Sequence, residues 1–292
     1  MKKIFLFALF MLLVFTAKLS AQILWKVERP RNEHVSYILG THHFASLSLL
    51  DSLANLPAVL EGAEKVYGEL DMAEMMSPAS LQAMQQALMA PADSTLDKVL
   101  TPAQLDSVNV ILKDMTGGQV PLEALYVMKP AALSTQIAAM MSMKLFPDLN
   151  PAEGLDMVMQ QRAKTLGKPV EGLETIEFQM NCLYGSSIAE QAESLMKTIS
   201  DIEGEEKRAV QLADAYVKHD IDTIYKAMTE ESEDPDSLER LIYSRNDTWA
   251  DRLSKEMADS SLLVVVGAGH LPGERGVLEQ LRKAGYTVTS AE

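Results

Sequence analysis

The chain carries a single cysteine, Cys182, in 292 residues. An intramolecular disulfide is therefore excluded, even in a compartment that would permit one. With no thiolate-stabilising neighbours in sequence, Cys182 reads as a small buried apolar side chain and not as a nucleophile. Positive charge is also scarce: 26 Lys and Arg stand against 41 Asp and Glu, a formal net charge of −15. Nucleic acid is bound through Lys and Arg on its phosphates, so that balance argues against it as a partner, and against docking on anionic lipid. The chain lacks an HExxH helix, which excludes an ordinary zincin, and a GxSxG elbow, which excludes the usual serine hydrolase turn. No repeat of 20 to 50 residues is present, so a solenoid is excluded.

Long apolar runs are confined to the start. Lys2-Lys3 precedes the apolar stretch from Ile4 to Ala17, and Lys18-Leu19-Ser20-Ala21 leads into Gln22. This is the layout of a secretory signal peptide over residues 1–21, and no cysteine follows to carry a lipid anchor. The expectation is an exported protein, periplasmic or extracellular, with no stable membrane insertion after cleavage. Losing Lys2, Lys3 and Lys18 would deepen the net charge from −15 to −18. Residues 22–292 are expected to form a single domain.

Strand-like segments gather near both ends and the middle reads as helical. Leu24 to Glu28 and Ser36 to Leu39 read as a hairpin, Leu47 to Glu64 as one helix, and Lys65 to Leu70 as a strand. Thr101-Pro102-Ala103-Gln104 predicts a capped helix start, and Gly117-Gly118 its end. Lys168 to Leu173 reads as a short strand, Glu174 to His219 as helix broken near Ser200, and residues 230–236 as a charged link. The many methionines, among them Met75, Met76, Met89, Met140, Met141 and Met143, read as adaptable packing between helices. Glu153, Asp156, Glu171 and Glu174 read as acidic turns serving as helix caps.

What is present most tellingly is a pair of matched phrases. Val35 to Leu39 runs into Gly40-Thr41-His42-His43, and Leu262 to Val266 runs into Gly267-Ala268-Gly269-His270. Three of the five histidines lie in these two phrases. Each apolar run predicts a buried strand, and the glycine is expected to let the backbone turn at the strand's end. The carboxyl edge of an open α/β sheet is where ligands bind. Two imidazoles, His43 and His270, with a carboxylate from a neighbouring strand would make a divalent metal site with open positions. Glu69 is the first candidate for that carboxylate and Asp71 the second; Glu69 is alternatively a general base. His42 is read as core or supporting, not as a ligand. Arg245 and Asn246, on the helix before the second phrase, are candidates to steady substrate charge and to orient a histidine.

These residues occur in an order that resembles a known family. Gly40-Thr41-His42-His43, Glu69-Leu70-Asp71, Gly154-Leu155-Asp156, Lys168 to Thr175, Arg245-Asn246 with Trp249, Gly267 to Gly273, Gly276-Val277-Leu278 and Leu281 to Tyr286 together resemble the TraB/GumN family, which includes the Tiki-type metalloproteases. The resemblance implies an α/β fold with a central β-sheet flanked by helices, and a catalytic core of two GxxH motifs and an intervening glutamate, matched here by His43, His270 and Glu69. It implies a divalent metal, manganese or cobalt first and zinc as the alternative, and a peptide or protein substrate. The expected function is an exported metal-dependent peptidase-like hydrolase; the alternative is a protein of the same fold that sequesters a peptide or ligand without cleaving it.

Overall fold

The computed structural model describes residues 22–43, 45–148, 154–229 and 235–291. The expected signal segment 1–21, Glu153 and residues 230–234 of the charged link lie outside the described residues.

A six-stranded sheet runs in the order β4-β3-β5-β2-β1-β6. Its strands are β1 (Leu24–Glu28), β2 (Val35–Thr41), β3 (Lys65–Gly68), β4 (Val170–Gly172), β5 (Leu262–Gly267) and β6 (Thr287–Ser290). With helices filling the middle of the chain, the molecule is α/β. The first two strands pair antiparallel as the expected hairpin, and β6 adds antiparallel to β1. By contrast β5 lies between β3 and β2 and runs parallel to both. A parallel strand is covered on both faces, which is why Leu262-Leu263-Val264-Val265-Val266 has no polar alternation. Each of these five side chains is fully buried, a gain of roughly 1.5–3 kcal/mol per residue.

Parallel pairing brings three strand ends to one edge. Thr41 at the end of β2 is opposite Gly267 at the end of β5, and Gly68 at the end of β3 is opposite Val265. The segments that follow, Thr41 to His43, Glu69 to Asp71 and Gly267 to His270, therefore leave the sheet side by side.

The glycines of the two phrases have a different reason from the one expected. Neither Gly40 nor Gly267 is among the positive-φ residues. Gly40 is needed for space: a Cβ there would lie 2.7 Å from Leu271 Cδ1 and 3.1 Å from the Ala268 backbone. The second phrase thus packs directly on the first.

Two helix boundaries differ from expectation. The single helix over Leu47 to Glu64 is two short ones, Ser48–Ser52 and Leu56–Gly62, because Pro57 cannot donate into a continuous ladder. The helical run after Glu174 breaks at Gly185 as well as at Asp201, and Ser187 restarts it through a capping box with Glu190. The capping box at Thr101 and Gln104 forms as predicted, and Gly117 closes that helix in the left-handed conformation. Residues 235–238 are helical and lead into a π turn over Glu239–Tyr243. Met141, Met159 and Met257 do pack in the core, but Met76, Met89 and Met143 are exposed.

Among the described residues the apolar interior falls into two clusters. One surrounds the sheet and contains Leu262 to Val266 of β5; the other joins the middle helices through Leu96, Leu112, Leu133, Ile137 and Leu195. The edge where the three strand ends meet belongs to the first.

Candidate functional site

The site is built around Arg245, on the helix Ser244–Asp259 that leads into β5. An arginine has five N–H donors in a rigid fork, and every one of them is used. Nε donates to Glu174 Oε2 at 3.1 Å, and Nη2 donates to Glu174 Oε1 at 2.7 Å and to Glu69 Oε2 at 2.6 Å. Nη1 donates to the Leu241 carbonyl at 3.0 Å and faces His270 Nε2 at 3.1 Å. The Leu241 carbonyl belongs to the π turn, where Ser244 N–H bonds back to Glu239. Such turns interrupt the regular helical ladder and recur at functional sites.

The tautomer of His270 follows from its partners. Asn246 donates its amide N–H groups to the carbonyls of His270 at 3.2 Å and Arg275 at 2.9 Å. Its Oδ1 therefore faces His270 Nδ1, at 2.6 Å, so Nδ1 carries the proton. The Nε2 lone pair is left to accept from Arg245. Burial disfavours the imidazolium, and although the Glu69 charge opposes this, the pKa of His270 falls to about 4. His270 is thus a neutral imidazole whose Nε2 is a lone-pair donor.

Glu69 is the complementary charge. Its Oε1 accepts the Gly267 N–H at 2.9 Å, and its Oε2 accepts from Arg245 and from Gln179, the latter at 3.2 Å. Burial would raise its pKa, but the facing His270, Arg245 and Gly267 N–H outweigh burial and hold the carboxyl at about 2. A side chain at Gly267 would crowd this arrangement, with Cβ 3.3 Å from Glu69 Oε1.

Glu174 and Trp249 complete the cluster. The Glu174 side chain is only 2 % exposed, and it accepts from Trp249 Nε1 at 3.1 Å and from Gln179 at 2.9 Å besides Arg245. The Arg245 guanidinium lies over the Trp249 ring at 4.7 Å, and the His270 ring tilts against the same indole at 4.5 Å. The helix-cap reading of Glu174 is corrected here: Thr175 caps the next helix by accepting from Phe178 N–H, and Glu174 is turned inward.

The first phrase meets the site from the other side. His42 stacks on the buried Tyr216 ring at 5.4 Å, and burial with the neighbouring His43 lowers its pKa to about 4. Tyr216 donates its hydroxyl to the Gly40 carbonyl. His43 points outward, with its side chain 80 % exposed and Nδ1 3.9 Å from Asp156 Oδ2. Asp156 is likewise no simple cap. It is buried in the helix Leu155–Thr165 and accepts the Thr41 hydroxyl at 2.7 Å. One turn on, Gln160 bonds the Leu70 carbonyl and the Met72 N–H, clamping the segment that carries Glu69. Asp71 points away from the edge, capping the helix that follows it and pairing with Lys164. Cys182 is buried, and burial raises its thiol pKa, which leaves it inert.

The donor chemistry fits a divalent cation: a neutral imidazole whose Nε2 lone pair faces Arg245, an ionised carboxylate, and a second imidazole at the rim. Among the described residues, no group of three or more His, Cys, Asp or Glu side chains already converges on a metal position. No helix of the described residues is long and apolar enough to cross a membrane.

A family model described as the TraB/PrgY/gumN family matches residues 23–290. The chain is 23% identical over 317 aligned positions to "Metalloprotease TIKI2" of Danio rerio, covering 91% of this chain and 60% of that protein. It is also 23% identical over 320 positions to "Metalloprotease TIKI1" of Homo sapiens, covering 92% of this chain and 61% of that protein. The chain thus spans about 60% of the length of these curated relatives. No solved structure gives a significant match.

Proposed function

Because the chain belongs to the TraB/PrgY/gumN family, we propose that it is an exported peptidase-like hydrolase that depends on a divalent metal. The observation that carries this reading is the meeting of Glu69 from the end of β3 with the Gly267 N–H of the second phrase, Glu69 being joined in turn through Arg245 to His270. An ionised carboxylate and a neutral imidazole held together at a strand edge are the donors that metal-assisted amide hydrolysis requires.

In this reading His270 through Nε2, Glu69, and His43 from the facing turn hold the ion, manganese or cobalt first and zinc as the alternative. When bound, the ion supplies Lewis acidity to a peptide carbonyl and lowers the pKa of water. The protein's own part is positional and electrostatic. Asn246 keeps the proton on Nδ1 of His270, so that Nε2 stays a donor at neutral pH. A metal-ligating histidine commonly gives its other N–H to an oxygen in this way. Glu69, held at about 2, contributes a fixed negative charge throughout the neutral range. Arg245 is the positive group available to developing charge on substrate, and Glu174 and Trp249 hold it beside Glu69. The substrate is a peptide or protein, and the compartment is periplasmic or extracellular.

The test is metal content of protein purified without chelator, beside the double variant His43→Ala/His270→Ala. About one manganese, cobalt or zinc per chain, absent from the double variant, is the expected result, followed by cleavage of members of a peptide library. No bound metal after loading with each ion would overturn the reading. Metal bound but peptides recovered intact would turn it into sequestration.

A further inference from the structure

The lone pair that His270 would offer to a metal is already taken. Arg245 Nη1 faces His270 Nε2 at 3.1 Å, and Arg245 Nη2 is 2.6 Å from Glu69 Oε2. The guanidinium thus sits between two of the groups assigned above to the ion, and its charge answers the carboxylate that the ion would answer. We propose that Arg245 is a placeholder cation: it satisfies His270 and Glu69 while the metal is absent, and has to release both when the metal binds. This inference rests on the metal reading of the site.

The surroundings are built to retain Arg245 after such a release. Glu174 grips it through two parallel bonds, from Nε and Nη2, and the Leu241 carbonyl holds Nη1. Glu174 is fixed in turn by Trp249 Nε1 and by Gln179, so it stays in place when Arg245 swings. Glu174 is accordingly a positioning residue for Arg245. A positive charge kept in the site prevents Glu69 from standing unpaired in a buried setting, which is costly. Its contact with His270 also sets a threshold on metal affinity, because a cation has to replace an existing charge-assisted hydrogen bond.

Trp249 gives a direct readout, since its ring is covered by the Arg245 guanidinium at 4.7 Å. The only other tryptophan is Trp25, so Trp25→Phe makes Trp249 the sole indole. In that background, saturating Zn²⁺ is expected to shift Trp249 emission as the guanidinium changes its position over the ring. The companion variant is Arg245→Lys, which keeps the charge but lacks the planar fork that reaches Glu69, Glu174 and His270 at once. Followed by Co²⁺ absorption, it is expected to bind about tenfold tighter than the parent, the value of one lost competing hydrogen bond. A silent Trp249 at saturating Zn²⁺, or Co²⁺ affinity in Arg245→Lys no tighter than in the parent, overturns the proposal while the metal reading stands. Failure of both proteins to bind either ion overturns the two together. The emission measurement leaves residue 245 intact, so the proposal remains testable if Arg245→Lys does not fold.

Discussion

Asn246 Oδ1 lies 2.6 Å from His270 Nδ1, and the two residues come from different elements, the helix before β5 and the turn after it. One contact therefore decides which nitrogen of the histidine faces the site. Replacing Asn246 by Ala removes the oxygen that selects the Nδ1–H tautomer. Metal affinity is expected to fall about 10- to 100-fold, the usual cost of losing such a supporting partner. Asn246→Asp, which keeps an acceptor, should lose less. Competition against a chromophoric chelator measures both, and equal affinities for the Ala variant and the parent would refute the assignment.

Acid should weaken the metal-free protein in a defined window. The folded-state pKa of His270 is about 4, against an ordinary 6.5, chiefly because it is buried. As pH falls through 6.5 the unfolded chain takes up this proton and the folded chain does not, so stability is lost down to about 4. A shift of this size corresponds to at most roughly 3 kcal/mol. His42 acts in the same direction. Glu69 adds its own loss only below its ordinary 4.5. Asp156 and Glu174, whose pKa values burial raises, act in the opposite sense. Urea midpoints between pH 7 and 5 should therefore fall less steeply in His270→Gln than in the parent; parallel slopes would show that His270 is not the group concerned.

Glu174→Ala should be among the most damaging single changes in the site. It leaves the buried Arg245 with Glu69 as its one remaining carboxylate partner and removes the acceptor of Trp249 Nε1. Breaking a buried pair in this way costs about 3–5 kcal/mol. Thermal denaturation of the metal-free protein reads it out. A loss below about 1 kcal/mol, the usual size for a surface pair, would mean that Glu174 is not holding Arg245.

Gly40→Ala tests the packing of the two phrases. The added methyl meets Leu271 Cδ1 at 2.7 Å and the Ala268 backbone at 3.1 Å. Overpacking of this kind costs about 1–3 kcal/mol, and the backbone side of the contact has the least room to give. Denaturant midpoints should drop accordingly, and a neutral result would mean that the second phrase moves aside freely.

Local pattern carried the sheet and part of the site into the sequence. The apolar run of β5, the β1–β2 hairpin and the Thr101 capping box are each written in adjacent residues, and each is found. Glu174 was not legible, because its use depends on Arg245, 71 residues later in the chain. Standing beside Thr175 at a helix start, it has the local appearance of a cap. Asp156 fails for the same reason, its partner Thr41 lying 115 residues earlier. The Ser187–Glu190 capping box was within reach, since Ser-x-x-Glu is a local signal. The helical composition on both sides hid the break. Gly40 was visible as a glycine, but its cause is a neighbour from the far end of the chain.

The placement of β5 has a consequence for how the protein is made. This strand is inserted between β3 and β2, and the Gly267 N–H reaches Glu69 across 198 residues of sequence. Until β5 emerges, β2 and β3 have no shared neighbour, and His43 and Glu69 belong to no common structure. Contacts so distant along a chain form late and slowly. A chain synthesised only as far as β4 therefore holds these residues apart, and they meet only once β5 has been made.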